Sequence, residues 1–278
     1  MRVLILAALL ATAAVPATAT TLTGDRIDGV AVASRIDGQS LPAGVHRFWY
    51  RAADSGIGQG WHVPVVVVRG ARQGPRLLVT AGMHGDELNG IDVAHRLIAE
   101  TDPAKLAGTL TVVPGINVPG LLQSTRGLPS WGGFAGVNLN RSVAAAAPLD
   151  TGQFYMRGLW ADVLRPNADR VVDLHTQTRA KEYTIFVFAD PRLAGVRRMA
   201  EVLNPDTIKL DPGVGGSIET SFVSVKVPAV TFELAGPERF EPKVIGRAVG
   251  GLRNLMADLG MVSGKVHIRP AFVGTKSL

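Results

Sequence analysis

The chain has 278 residues, of which 46% are hydrophobic and 19% charged, and this suits one globular domain with a sizeable core. It contains no cysteine, which excludes disulfides, thiolate metal ligands and cysteine nucleophiles, so any metal site must use histidine and carboxylate side chains. The formal charge is +6, but the basic residues are dispersed, and we therefore predict no nucleic-acid partner. The positive charge favours a small anionic substrate instead.

The first 19 residues have the layout of a secretory signal peptide. Arg2 is followed by an apolar segment, residues 3–15, and then by small residues that end at Ala19. The apolar segment is shorter than the roughly 20 residues that a membrane-spanning helix needs. We therefore expect cleavage after about Ala19, no stable membrane insertion after cleavage, and a periplasmic or secreted mature protein.

The first half of the chain predicts the start of an α/β pattern. Residues 20–62 show no clear hydrophobic period, and we predict an irregular N-terminal lead-in there. Apolar, β-branched runs then predict strands, and apolar residues at helical spacing predict a helix. The predicted elements are strands at 63–69, 76–81 and 110–113 and a helix at 88–100.

Residues 115–148 form a long stretch rich in Gly, Pro, Ser and Asn. Loops of this length inside a compact domain are usually functional or disordered, and we favour a functional loop because it contains several polar side chains suited to binding. The second half of the chain alternates again between strand and helix patterns. It predicts strands at 171–174, 184–188 and 230–234 and helices at 154–164, 193–203 and 244–259. One domain over residues 63–260 follows, with 261–278 as a short C-terminal tail.

Polar side chains lie at the ends of three predicted strands. His84 and Glu87 come between a strand and a helix, His175 directly follows a strand, and Glu233 lies in the last strand. In open α/β sheets, ligands bind at the carboxyl ends of the strands. Two histidines and one glutamate form a three-ligand set that leaves a fourth position for water, as in hydrolytic zinc sites. Glu233 is then the candidate general base that takes a proton from the zinc-bound water.

Each of these residues also has a structural interpretation. His84 and Glu87 on their own are equally compatible with a loop histidine and a helix-capping glutamate, since His-x-x-Glu is common by chance. Glu233 is also compatible with an edge-strand carboxylate in solvent or with a core glutamate paired with an arginine. Asp173, two residues before His175, is expected to orient its surroundings rather than bind metal.

Five segments together resemble the succinylglutamate desuccinylase/aspartoacylase family of the zinc carboxypeptidase superfamily. Any one of them is a weak signal, but five in the right order are hard to obtain by chance. They are residues 81–87 (AGMHGDE), 117–120 (NVPG) with Arg126, 138–141 (NLNR), 173–176 (DLHT) and 227–234 (VPAVTFEL).

The resemblance implies a single α/β domain with a mixed, largely parallel β-sheet flanked by helices, as in zinc carboxypeptidases. It implies that His84, Glu87 and His175 hold one Zn²⁺ per chain. The chain departs from the family pattern in two respects that bear on this site. Asn138 stands where related enzymes often have an aspartate that hydrogen-bonds a zinc-ligating histidine, and its amide oxygen supplies no charge to raise the basicity of that ligand. The chain also ends at Leu278, where many members continue into a β-rich domain, so we expect a more open site.

The resemblance also implies roles for the remaining matched residues. Glu233 corresponds to the catalytic glutamate, and Arg126 to the arginine that polarises the scissile carbonyl and stabilises its oxyanion. Asn140 and Arg141 correspond to the pair that binds the substrate carboxylate, where a guanidinium makes two parallel hydrogen bonds.

The resulting prediction is an exported zinc-dependent hydrolase that cleaves an amide bond next to a carboxylate, as an N-acyl amino acid deacylase does. A metallocarboxypeptidase acting on peptides or cell-wall fragments uses the same catalytic residues and stays an alternative. A non-catalytic ligand-binding protein on the same fold is the alternative from another class, and the presence of all three ligand positions and Glu233 argues against it. The sequence predicts neither the acyl group nor the oligomeric state.

Overall fold

The structure is a computed structural model, and it describes residues 19–54, 58–130, 133–144, 150–178 and 184–275. The predicted signal peptide falls, apart from Ala19, outside the described residues. Within the described ranges, none of the helices combines the length and the hydropathy that crossing a bilayer requires.

The described residues alternate between strands and helices in the second half of the chain, while strands dominate the first half. The strands are β1 (Thr21–Ile27), β2 (Val30–Arg35), β3 (Gly44–Asp54), β4 (Gly60–Arg69), β5 (Arg72–Ala81), β6 (Ala107–Val113), β7 (Leu128–Ser130), β8 (Gly133–Val137), β9 (Arg170–His175), β10 (Ile185–Ala189), β11 (Thr207–Leu210), β12 (Ala229–Leu234) and β13 (Phe272–Thr275). The α-helices are α1 (Asn89–Glu100), α2 (Val118–Gln123), α3 (Thr151–Leu159), α4 (Val196–Val202), α5 (Ile218–Ser224) and α6 (Pro242–Asp258).

One large mixed sheet organises the molecule. In the part of the chain that the structure describes, eleven strands pair in the order β1-β2-β3-β4-β6-β5-β9-β12-β10-β11-β13, and β7 and β8 form a separate hairpin. At the centre, β6, β5, β9 and β12 run parallel to one another. Every residue of β6 and β12 is buried, because helices cover both faces of the sheet. The predicted α/β fold with a mixed, largely parallel sheet is confirmed.

Two hydrophobic clusters hold the helices to the sheet. On one face, α1, α4 and α6 pack through residues such as Leu97, Met199 and Leu252. On the other face, α3 and α5 pack through residues such as Met156 and Phe222. Each fully buried side chain of this size contributes about 1.5–3 kcal/mol relative to an exposed one. The sheet is therefore a rigid base for the loops that leave its strand ends.

The prediction of an irregular lead-in at 20–62 is wrong. The segment forms β1, β2 and β3, and β4 begins at Gly60. β1 is exposed along nearly its whole length and has irregular register against β2, so it lacks the alternation of apolar and polar residues that predicts a strand. The tail predicted at 261–278 also contains a strand, because β13 pairs with β11 at the edge of the sheet while most of its side chains stay exposed.

The predicted elements of the core are present, with different ends. The helix predicted at 154–164 is α3 followed by a π-helical turn at Trp160–Leu164. The long stretch at 115–148 contains α2, the β7–β8 hairpin and a 3₁₀ turn at Leu139–Arg141 among its described residues. Residues 211–217 lead into α5, a short helix whose first turn is capped by Ser217, which accepts a hydrogen bond from the Thr220 amide.

Candidate active site

The loop that follows β5 carries His84 and Glu87 to the carboxyl end of the sheet. Gly82 starts it with a positive φ of 64°, a conformation that glycine adopts without strain. Gly85 then passes directly against the start of α2, where an added Cβ would lie 2.1 Å from the carbonyl carbon of Gly120. The close approach is stabilised by the Gly85 amide, which donates to the Thr125 carbonyl. Both polar side chains are thereby directed into the protein.

His84, Glu87 and His175 meet in one buried cluster. The three side chains are 2–3% exposed, and one donor atom from each lies within 4.8 Å of the others. Glu87 accepts from both rings, at 2.8 Å from His84 Nδ1 and 2.9 Å from His175 Nδ1. The Thr176 amide also donates to Glu87, at 2.9 Å. The carboxylate is therefore fixed between the two imidazoles.

A second layer of oxygen atoms orients the two rings. His175 Nε2 lies 2.8 Å from Asp173 Oδ2, and Thr80 donates to the other oxygen of Asp173 at 2.7 Å. His84 Nε2 lies 3.1 Å from Asn138 Oδ1. Metal-binding histidines have this arrangement, in which one ring nitrogen faces the metal and the other is held by a carboxylate or amide oxygen. Asp173 thus contacts a histidine, as the sequence indicated, and Asn138 occupies the corresponding position on the other ring.

Opposite charges stabilise one another within the cluster. Burial would raise the pKa of Glu87, but the charges and hydrogen bonds of His175 and His84 outweigh it and hold that pKa well below its usual range. Burial would likewise lower the pKa of His175, but the carboxylates of Asp173 and Glu87 raise it well above its usual value. Two imidazoles and a carboxylate around one point, with their other atoms already hydrogen-bonded, fit the donor set of a catalytic zinc site.

Glu233 and Arg126 lie next to this cluster. β12 pairs with β9 so that Glu233 is directly opposite His175. The Glu233 side chain is buried, and its Oε2 has no hydrogen-bond partner. Burial raises the pKa of Glu233 to about 7, although the positive charge of His175 opposes the rise. Arg126 donates to Glu87 Oε1 at 2.7 Å while 38% of its side chain stays exposed, so its guanidinium lies between the cluster and solvent.

Asn140 and Arg141 lie in the 3₁₀ turn that closes the other side of the site. Asn138 caps this turn by accepting from the Asn140 amide at 3.0 Å. The Asn140 side-chain oxygen accepts from the Ile218 amide at 3.2 Å, which ties the turn to the start of α5. The structure brings six of the seven predicted residues to the wall of one cavity of about 270 Å³, with Glu87 directly behind them. These six are His84, Arg126, Asn140, Arg141, His175 and Glu233. Their catalytic and binding roles stay predictions.

Two acidic residues of this cavity, Asp211 and Glu219, were not predicted from the sequence. The Glu219 side chain, in α5, is 3% exposed, yet it lines the cavity together with Asp211 and Thr231. No motif marks Glu219, and no element was predicted over its short helix. Its spacing of three residues from Phe222 fits one face of a helix, but a single such pair is a weak signal.

Comparison with known proteins agrees with this site. The family model described as "Succinylglutamate desuccinylase/Aspartoacylase catalytic domain" matches residues 73–259. The chain is 27% identical over 215 residues to an N-alpha-acetyl-L-2,4-diaminobutyric acid deacetylase from Halomonas elongata. That match covers 74% of this chain and 60% of the relative, so the chain spans less than two thirds of the length of this curated relative.

Solved structures share the fold. A product-bound ectoine utilization protein from Ruegeria pomeroyi superposes with a TM-score of 0.74 at 24% identity, over 86% of this chain and 75% of that one. A succinylglutamate desuccinylase/aspartoacylase from Rhodobacter sphaeroides also gives 0.74, at 23% identity, over 86% of this chain and 73% of its own. Because the family model matches about two thirds of the sequence, over all the strands and helices that form the site, the chain belongs to the succinylglutamate desuccinylase/aspartoacylase catalytic domain family.

Proposed function

We propose that the protein is an exported zinc-dependent hydrolase that cleaves the amide bond of an N-acyl amino acid next to a carboxylate. The observation that carries the proposal is the juxtaposition of a three-donor metal cluster with a buried glutamate whose free oxygen has no partner. His84, Glu87 and His175 supply the donors, and Glu233 lies beside them. A zinc ion, when bound, would supply a Lewis acid that acidifies water and polarises the amide carbonyl.

Proton transfer and charge stabilisation are assigned to two further residues, Glu233 and Arg126. Glu233 accepts a proton from the attacking water and later delivers it to the amine that leaves. Its burial sets its pKa near neutrality, which suits a group that both takes and returns a proton. Arg126 is a fixed cation at the edge of the cluster and stabilises the negative charge that develops on the carbonyl oxygen.

Asn140 and Arg141 bind the carboxylate of the substrate. A carboxylate held by a guanidinium and an amide has one orientation, so the scissile bond is presented to the cluster at a defined distance. The Asn140 turn is already fixed by Asn138 and Ile218, and little ordering is needed on binding. The relative from Halomonas elongata is named as the deacetylase of an acetylated amino acid, and this supports a deacylase over a peptidase.

Export is part of the proposal and is based on the sequence of residues 1–19. It is tested separately from the chemistry, by fractionating cells that express the full chain and sequencing the N-terminus of the mature protein. We expect the protein in the periplasm or the medium, starting near Thr20. Protein that stays in the cytoplasm with an intact N-terminus would contradict export and leave the catalytic proposal unaffected.

The catalytic proposal is tested by the metal content of the purified protein and by amine release from N-acyl amino acids and short peptides. We expect near one zinc per chain and release that a chelator abolishes and added zinc restores. A preference for N-acyl amino acids supports the deacylase, and a preference for peptides supports the carboxypeptidase. A protein that binds ligands but releases no amine after zinc is supplied would instead be a non-catalytic binding protein.

A further inference from the structure

The mechanism above leaves two buried acidic side chains of the cavity unused, Glu219 and Asp211. Glu219 extends from α5 to the cavity wall and is 3% exposed. Its Oε2 accepts from the Thr231 hydroxyl at 2.9 Å, while its Oε1 has no hydrogen-bond partner. Oε1 faces the loop at Gly213, where an added Cβ would lie 3.9 Å from it. A buried carboxyl oxygen without a hydrogen-bond donor costs free energy. A ligand in the cavity that donates a hydrogen bond to Glu219 Oε1 would remove this cost.

The charges around Glu219 define the kind of donor that fits. Burial raises the pKa of Glu219 to about 8, and the carboxylates of Asp190, Asp173 and Asp211 contribute to the rise, although the hydrogen bond from Thr231 opposes it. Asp211 lines the same cavity as Glu219, on the loop that precedes α5. Negative charge on several sides makes this wall complementary to a cation and unfavourable for a second anion.

This acidic wall, Glu219 and Asp211, is joined to the proposed carboxylate-binding pair. The Ile218 amide, next to Glu219, donates to the Asn140 side chain at 3.2 Å. Gly216 packs so closely on Arg141 that an added Cβ would lie 2.5 Å from the Arg141 carbonyl oxygen. A substrate held by its carboxylate at Asn140 and Arg141 therefore has the rest of its amino acid close to α5.

We infer that Glu219, with Asp211 beside it, binds a positively charged amino group on the side chain of the substrate amino acid. The substrate class is then the N-acyl diamino acids, an inference that rests on the proposed function. An ammonium group supplies the donor that Glu219 Oε1 lacks and offsets the repulsion among the acidic residues. An aliphatic side chain of the same size donates no hydrogen bond and carries no positive charge, so Glu219 Oε1 stays buried without a partner.

The inference is tested by calorimetric binding of two amino acids to the zinc-loaded protein. L-2,4-diaminobutyrate and L-norvaline have the same size and differ in the terminal group, an ammonium in one and a methyl in the other. We expect the diamino acid to bind about tenfold to a hundredfold more tightly. Its binding should also release a proton near pH 7, because the ammonium converts a protonated Glu219 to the carboxylate.

The Glu219→Gln variant should lose most of this preference and the proton release, while its affinity for norvaline stays within about twofold of the wild type. Glu201→Gln, at a half-buried position of α4 outside the cavity, is the matched control and should behave as the wild type. If Glu219→Gln does not fold, the inference is still tested by the preference of the wild type for the diamino acid and by the proton release on binding. Equal affinities in the wild type, or a preference that survives in Glu219→Gln, would overturn the inference.

Amine release from the N-acetyl forms of the same two amino acids separates this inference from the proposed function. Selective binding of the diamino acid without release from either acetylated form would support ammonium binding at the acidic wall and contradict the proposed hydrolytic activity. Equal kcat/KM values for the two acetylated forms would support the hydrolytic activity and contradict ammonium binding at the acidic wall. Release from the diamino form with a kcat/KM at least about tenfold higher supports both.

Discussion

Three buried glutamates at the site, Glu87, Glu219 and Glu233, have different electrostatic surroundings. Burial alone would raise the pKa of each. At Glu87 the two histidines supply positive charge and donors to both oxygens, and the pKa is held well below its usual range. Glu219 and Glu233 each have an oxygen without a partner, and their pKa values rise to about 8 and about 7.

The difference between these glutamates shows that burial alone does not assign a role to a carboxyl group. Glu87 is ionised and its donors are in place, which suits a permanent ligand of a cation. Glu219 and Glu233 each have one oxygen that receives no hydrogen bond from the described residues. We expect the substrate or the attacking water to supply that hydrogen bond. Glu87 thus has hydrogen bonds to both oxygens within the fold, whereas Glu219 and Glu233 each keep one oxygen for a partner that arrives during the reaction.

The largest expected effect comes from Glu233→Gln. The amide has nearly the same shape but cannot accept a proton, so we expect kcat to fall by about 10²–10⁴-fold. The zinc content should stay that of the wild type, because Glu233 is not among the three donors. Both are measured on one preparation, by amine release and by metal analysis. A Glu233→Gln variant with unchanged kcat would contradict the assignment of Glu233 as general base.

Glu87→Gln tests the other side of the comparison. Loss of the carboxylate removes the negative charge that holds two histidines and the metal, and we expect zinc affinity to fall by more than about a hundredfold. Competition with a chromogenic chelator measures it. Asp86→Asn, which neutralises the adjacent carboxyl outside the donor group, is the control and should keep its zinc. Equal losses in both variants would indicate that general charge, and not ligation, holds the metal.

Glu219→Gln should change stability in the opposite direction from most substitutions of buried residues. The folded protein keeps the proton of Glu219 up to about pH 8, whereas the unfolded chain loses it near the usual pKa of 4.5. The unfolded state therefore binds fewer protons between these values, and wild-type stability falls as the pH rises through them. Glutamine has no such dependence, so the variant should gain about 2 kcal/mol or more over the wild type at pH 8.

Urea unfolding of the wild type and the Glu219→Gln variant at pH 4.5, 6 and 8 measures this gain. The difference in free energy of unfolding should be small at the lowest pH and grow up to pH 8. A difference that stays constant with pH would mean that Glu219 is ionised in the fold and would contradict its raised pKa. Because no ligand is present, the result measures how much the buried Glu219 lowers the free energy of unfolding, separately from any effect on binding.

Asn138→Asp has the smallest expected effect. The aspartate keeps the cap of the Asn140 turn and adds a negative charge 3.1 Å from His84 Nε2, which makes His84 a more basic ligand. We expect zinc affinity to rise by up to about tenfold. Asn138→Ala removes the oxygen and should lower it. The same chelator competition measures both variants, and an unchanged affinity in both would show that this contact does not tune the metal site.

The sequence by itself determined the core of the fold and the residues of the candidate metal cluster. Strands such as β5, β9 and β12 are buried on both faces, and their apolar runs are a local signal. The helices α1 and α6 have apolar residues at helical spacing. His84, Glu87, His175 and Glu233 follow or end such strands, and parallel strands bring their carboxyl ends to the same edge of a sheet.

The tertiary structure alone decided the rest, because the deciding contacts join distant parts of the chain. β1 and β13 are edge strands that backbone pairing holds while most of their side chains stay exposed, so their sequences carry no alternation. Glu219 is an ordinary glutamate in a short helix until β12 brings Thr231 to one of its oxygens and leaves the other facing the Gly213 loop. A buried charge is recognised by what surrounds it, and those surroundings exist only in the folded protein.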